Sequence, residues 1–189
     1  NVAATCNGTV HIGYYSKNSF IDAREVIFDS IKGHVIGGHV KAVYRITVPT
    51  VGSELEIKTL LEVTGFDRQK LVTEYERTLI KIEELKKEKQ DLKQKLASFD
   101  TSETMDAFLL KSYTSTFEKF NEVSESLKNL AEERKSLAGL LKTRGEGEIS
   151  VTKKAFRNCT FIIKNHTINI TETTMPVVYF VQGNELRQV

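Results

Sequence analysis

Four histidines, His11, His34, His39 and His166, are the side chains best suited to move a proton near neutral pH. A solenoid acyltransferase uses such an imidazole between coils, and His34 or His39 fits that part by residue type. Neither has a carboxylate near it in the sequence, and both flank glycines, where a turn is expected to leave the ring in solvent. The neighbouring carboxylates Glu83 and Glu84 fall on the outer face of a helix pattern, with no cleft to hold a proton on either. The sequence contains no phosphate loop, GxGxxG, HExxH or GxSxG. Cys6 and Cys159 lie far apart and form no CxxC or Cys/His metal spacing, so a reduced, cytosolic pair of thiols is expected. These residues predict no enzyme, no cofactor and no metal.

The 189-residue chain is 40% hydrophobic with a net charge of +2, enough for a packed core and too near neutrality for strong steering to nucleic acid or acidic lipid. No apolar run approaches the length of a membrane span, and "NVAATCNGTVHIG" has neither a basic start nor an apolar signal core. The absence of an initiator Met suggests part of a longer protein. Sequons begin at Asn7, Asn158, Asn165 and Asn169. Without a secretory signal they are expected to be unmodified.

From Ile21 to Val63 branched aliphatics recur every five or six positions: Ile21, Val26, Ile31, Ile36, then Ile46, Val51, Ile57, Val63. That spacing suits a β-solenoid whose inward aliphatics stack coil on coil while Gly33, Gly37, Gly38 and Gly52 make corners. The expectation is short parallel strands over residues 33–63 with Ile36, Ile46, Val51, Ile57 and Val63 inside. An ordinary meander of short strands is the alternative.

After Asp67, a candidate N-cap, the period changes to 3.5. Leu71, Tyr75, Thr78, Ile82, Leu85, Lys89, Leu92, Leu96 and Phe99 follow in steps of 4 and 3. A second series runs Leu109, Tyr113, Thr116, Phe120, Val123, Leu127, Leu130, Arg134, Leu137, Leu141. "DTSET" between them offers a turn and an N-cap at Ser102. So short a connection predicts an antiparallel coiled-coil hairpin, with Lys89 opposite Thr116 if the turn centres on Thr101. Residues 68–95 are modestly basic, nine against six, which leaves a nucleic-acid-binding arm as a minor alternative.

Past "TRGEGE" the runs "ISV", "CTFIIK", "HTINIT" and "VVYFVQ" are strand-like. An antiparallel arm returns the chain to where it left, so these strands are placed on the solenoid end, with Phe161, Ile163, Val178 and Phe180 buried. The fold class is thus mainly a parallel β-solenoid interrupted by a long antiparallel coiled-coil hairpin, with a short C-terminal β return. The domains fall at 1–66, 67–144 and 145–189.

"GGHVKA" (37–42), "VGSE" (51–54) and "KTLLEV" (58–63), followed by the heptad helix pair and the β return, resemble the bacterial flagellar assembly protein A family. Its motif positions here are Gly37, Gly38, Ala42, Gly52, Ser53, Thr59, Glu62 and Val63. The chain departs from the family at "EVTGFDR", one residue longer and without the usual proline, and at "FRNC" (156–159). The resemblance implies a parallel β-helix, taken to be right-handed. It also implies a cytoplasmic role in flagellar assembly or positioning, often at the cell pole, through protein partners. A homodimer is possible on this reading, and neither nucleic acid nor membrane insertion is expected. A solenoid enzyme of the acyltransferase or polysaccharide-processing kind is the alternative.

Overall fold

The structure, a computed structural model, describes residues 2–99 and 106–189. The chain forms two compact units, residues 1–68 with 142–189, and residues 69–141.

The first unit is a stack of coils. The strand pair β1 (Ala3–Thr5) and β2 (Thr9–Ile12) lies parallel to β3 (Tyr15–Phe28), and β3 lies parallel to β4 (His34–Val51) along nearly its whole length. The other edge of β4 carries two partners, β5 (Thr59–Val63) on Gly38–Ala42 and β6 (Glu148–Ala155) on Arg45–Val51, both parallel. These two strands, far apart in sequence, are halves of one coil. β7 (Cys159–Ile163) stacks parallel on β5. The remaining strands reverse direction: β8 (His166–Ile170) pairs antiparallel with β7, β9 (Val177–Gln182) with β6, and β10 (Glu185–Gln188) with β9. Antiparallel strands end a parallel stack because they cannot continue its register.

The expected solenoid is present, but its period is the coil and not five or six residues. Tyr15 stands beside His34, Val26 beside Ile46 and Gly38 beside Thr59, so successive coils are offset by 19, 20 and 21 positions. Inward columns follow from that register: Ile21, Val40, Leu61 and Phe161 in one, and Val26, Ile46, Ile149 and Tyr179 in another, all buried. Ile46, Val51 and Val63 are inside as expected. Ile36 and Ile57 are only half-buried, and Ile31 is 74% exposed. Alternation explains Ile36: its neighbour Val35 points inward. The strands are also longer than expected, since β3 and β4 run through corners without interruption.

The left-handed residues Asn18 (φ 47°), Gly37 (φ 67°) and Asn158 (φ 66°) each precede a residue of one stacked column, Ser19, Gly38 and Cys159. They turn three coils at equivalent places. Gly38 (φ 81°) lies against the coil below so closely that a Cβ would overlap the Ser19 backbone.

The β return packs as expected through Phe161 and Ile163, both fully buried. In β9 the inward residues are Val177, Tyr179 and Val181, not Val178 and Phe180. Antiparallel pairing sets this parity by placing Tyr179 beside buried Ile149 and Val177 beside Val151.

The second unit holds α1 (Arg68–Ala97) and α2 (Ala107–Leu140). α1 begins directly after Asp67; α2 begins after Asp106, whose side chain makes no capping hydrogen bond. The Ser102 cap expected from sequence lies outside the described residues, and α2 starts later than it implied. Leu71, Thr78, Ile82, Leu92, Val123 and Leu137 are buried, while Leu85, Leu96, Phe120, Leu127 and Leu130 are half-buried. Arg134 and Leu109 are exposed. Lys89 lies over the Phe120 ring, 5.2 Å from its centroid, one turn beyond the expected Thr116. Among the described residues no helix is long and apolar enough to cross a membrane.

Stacking predicts a sharp hierarchy of substitutions. Phe161→Ala should cost about 3–5 kcal/mol, and Gly38→Ala at least about 2 kcal/mol through a strained, overlapping corner. Outward Ile36→Ala should cost under about 1 kcal/mol. Urea unfolding followed by far-ultraviolet circular dichroism measures all three, and equal losses at Ile36 and Phe161 would refute the inward assignment.

Candidate functional site on the outer face of the solenoid

Residues that alternate with the inward columns point outward, so stacking lines up polar side chains from different coils. β4 supplies His39 and Lys41, and β5 supplies Glu62 beside Lys41. Glu62 is held from two directions: His39 Nε2 lies 2.8 Å from Oε2 and Lys41 Nζ 3.2 Å from Oε1. The Phe20 ring meets the His39 ring edge to face at 5.5 Å. A coil away from the insertion, Glu25 is 7% exposed and lies 2.7 Å from Arg45 Nε, while Thr9 Oγ1 donates to its other oxygen at 3.1 Å.

Sequence distance had hidden the carboxylate that His39 faces. Glu62 lies one coil plus two residues away, the diagonal neighbour on an outward face, and only the coil period makes that pairing visible. His34 is placed differently, with Nε2 2.6 Å from the carbonyl oxygen of Gly52 and its ring stacked near Phe156. His11 lies 2.8 Å from Asp29 on the exposed surface. His166 is half-buried and, with Glu62, Thr64, Lys164 and Asn184, lines a polar groove of about 390 Å³.

The His39–Glu62 pair has the geometry by which a carboxylate orients an imidazole, but Lys41 already occupies the second carboxylate oxygen and aromatic Phe20 covers the ring edge. This arrangement ties two coils together. A second groove, about 430 Å³, lies between Ser53, Lys154, Phe156, Arg157 and Glu172. Its two cations are engaged, Lys154 over the Phe156 ring at 4.4 Å and Arg157 with Glu56 at 2.5 Å. Among the described residues no three His, Cys, Asp or Glu side chains gather as a metal site.

The motif residues singled out in the sequence divide by role. Gly37, Gly38 and Gly52 have positive φ, and a Cβ at Gly52 would crowd Cys159 Sγ. Thr59 is fully buried; its hydroxyl accepts from the Gly37 amide at 2.8 Å and donates to the Ile57 carbonyl at 2.9 Å, closing the corner. Ala42 and Val63 are inward neighbours with no exposure. Ser53 is half-buried on the rim of the second groove. Glu62 alone of the set places its functional atoms on the outer face.

The residues at which the chain leaves and re-enters the stack form a third cluster. Thr64 and Gly65 amides donate to the Ala42 and Val43 carbonyls, and the Phe66 amide donates to the Glu146 carbonyl at 2.9 Å. Arg68 Nη1 donates to the carbonyls of Thr143 at 2.7 Å and Gly145 at 3.0 Å. Lys164 pairs with Glu146, and the Tyr44 and Phe66 rings pack at 4.9 Å. Every partner here belongs to the solenoid unit.

A family model described as the flagellar assembly protein A beta solenoid domain matches residues 1–186. No curated protein and no solved structure matches the chain.

The two thiols offer a direct check of this packing. Cys159 is buried, which pushes its pKa up to about 11; Cys6 is exposed, and both are free. A thiolate is the reactive form, so at pH 8 a disulfide reagent should modify Cys6 alone, with Cys159 reacting only after unfolding. Because the folded state favours the neutral thiol, raising the pH through about 11 should weaken the fold. Rapid modification of both thiols in the native chain would refute the burial of Cys159.

Proposed function

The chain belongs to the flagellar assembly protein A beta solenoid family, and from that premise we propose that it is a non-catalytic scaffold for flagellar assembly in the bacterial cytoplasm. On this reading residues 69–141 form an antiparallel coiled-coil hairpin that the solenoid holds and presents to protein partners, flagellar or polar.

The observation that carries the proposal is the place of the insertion. Val63 pairs with Ala42, and Glu148 pairs with Arg45, so the chain leaves and re-enters the same coil at one corner. A coil that stays closed at the base of an insertion gives the inserted element a fixed root without depending on it for its core. The antiparallel pairing is supported by two cross-helix contacts that advance in opposite chain directions: Phe99 packs edge-on against Tyr113 at 5.6 Å, and Lys89 reaches Phe120. The heptad positions Leu71, Ile82, Leu92, Val123 and Leu137, all buried, support a continuous seam.

Replacing residues 69–141 by a short Gly-Ser link should leave the solenoid folded, and capture from a lysate of flagellated bacteria should then lose partners that the intact chain recovers. Identical recoveries would refute presentation by the helices. In the intact chain, Ile82→Asp buries an unpartnered carboxylate at a cost of roughly 2–5 kcal/mol, and circular dichroism should show helix lost with strand signal retained. One common unfolding transition would show that the units are not separately stable.

A further inference from the structure

Asn7 is the only asparagine in the chain that a glycine follows. The pair Asn7–Gly8 makes the bend between β1 and β2, with Asn7 exposed and Gly8 half-buried. The fold makes no demand of its own for a glycine here. Gly8 lacks the positive φ of Gly37, Gly38 and Gly52, and a Cβ on it would meet only Cys6 Sγ, at an ordinary contact distance of 3.7 Å. What glycine does supply is access: without a Cβ, its backbone nitrogen can approach the carbonyl carbon of the preceding side chain. That nitrogen is also unengaged, since among the described residues nothing accepts from the Gly8 amide.

Neighbouring contacts hold the bend in place and orient the Asn7 side chain. The Cys6 amide donates to the Asp22 carbonyl and the Arg24 amide to the Gly8 carbonyl, both at 2.9 Å. Arg24 Nε donates to Asn7 Oδ1 at 3.0 Å. A guanidinium can only donate, so this contact fixes the side-chain oxygen toward the cation and leaves Nδ2 outside it. Arg24 is within reach because it sits where β3 loses step with β4: Ala23 pairs with Ala42 and Glu25 with Arg45. Asn165 and Asn184 are also exposed but precede His166 and Glu185, while Asn158 Nδ2 is held by the Glu56 carbonyl.

We propose that Asn7 is a self-modification site, deamidated by the chain without an enzyme and with Arg24 assisting. The Gly8 nitrogen gives up its proton to water and bonds to Asn7 Cγ. Negative charge gathers on Oδ1, where the Arg24 Nε–H already donates, in the manner of an oxyanion hole. The bond from Cγ to Nδ2 then breaks, and Nδ2 takes up a proton and leaves as ammonia. Water opens the resulting cyclic imide at either carbonyl, so the net change is water in and ammonia out, with no oxidation or reduction. Opening at Cγ yields aspartate, whose carboxylate pairs with Arg24 across the coils. Opening at the main-chain carbonyl yields isoaspartate, which routes the backbone through Cβ and Cγ and lengthens the bend. β2 begins directly after Gly8, with Thr9 beside Glu25, so the longer bend pulls the first coil out of step with β3. The inference goes beyond the scaffold reading and does not depend on it.

The test incubates the purified full chain for days in neutral buffer and follows each asparagine by peptide mass spectrometry, which reads the exchange of amide nitrogen for oxygen. Residue 7 should convert at least about tenfold faster than the exposed Asn165 and Asn184. Its rate should rise with pH, because the attacking nitrogen has to lose its proton. Gly8→Ala, for which the bend has room, should slow the conversion by about tenfold or more, and Arg24→Ala should slow it severalfold, with circular dichroism confirming that both variants are folded. Enzymatic methylation specific for isoaspartate should label the ageing wild-type chain and leave Asn7→Asp unlabelled at that position. Amide hydrogen exchange at Thr9–Ile12 should quicken in the isoaspartyl fraction and stay unchanged in Asn7→Asp. Conversion at residue 7 no faster than at Asn165 and Asn184 overturns the proposal. So does a rate that Gly8→Ala leaves unaltered, or one that Arg24→Ala leaves unchanged or raises.

Discussion

Every coil of the solenoid has to deliver its inward side chains onto the same columns as the coil before it. Parallel hydrogen bonding fixes the distance between coils, so Val40 can lie between Ile21 and Leu61 only if each turn of chain is completed in the same way. The left-handed residues Asn18, Gly37 and Asn158 meet that requirement at one corner, and the buried Thr59 hydroxyl ties Gly37 to it. Departures in coil length are accepted elsewhere: Pro49 alone faces Thr152 and Lys153, and the largest differences fall at the corner after Ala23, Ala42 and Val63. That corner contains Arg24 alone in one coil, Val43 and Tyr44 in the next, and the whole helical insertion in the third.

The same register organises the surface. Outward residues of successive coils become neighbours whatever lies between them in sequence, which is how Glu62 comes to hold both His39 and Lys41. Contacts of this kind, partly screened by solvent, contribute little individually to stability. They also fix which side chains stand together on the outer face, joining the coil of His39 and Lys41 to the coil of Glu62. Arg68, by donating to two carbonyls on the returning strand of chain, does the equivalent at the root of the insertion.

Much of this was legible in the residues because each coil repeats a simple requirement. The heptad steps from Leu71 and from Leu109 mark two helices, and the ordered motifs from Gly37 to Val63 mark the solenoid together with its family. The errors share a cause, since strand parity is set by partners that are remote in sequence. Ile36 and Ile57 are as apolar as Val40 and Leu61, and composition cannot say which face each takes. Val178 and Phe180 were displaced by one residue because the antiparallel register with Ile149 and Val151 decides the matter. His39 looked isolated for the same reason: its carboxylate is a neighbour across coils. Lys89 meets Phe120 and not Thr116, one turn from the expectation, because heptad steps mark the faces of two helices without saying which turns lie opposite each other.

A split coil also has a history. As the chain is synthesised, Thr59–Val63 can join β4 at once, but the other half of that coil does not exist until residue 148 has emerged. During that interval Arg45–Val51, with Ile46 and Val48 on its inner face, offers an open edge with no partner. Closing so long an interval as a flexible loop is slow, although doubling its length adds only about 0.6 kcal/mol to the entropic cost. If the two helices pair first, they bring residues 66 and 146 together and turn a distant encounter into a local one. The insertion would then act in time as well as in space, as the timer that decides how long a growing solenoid stays open to the wrong strand.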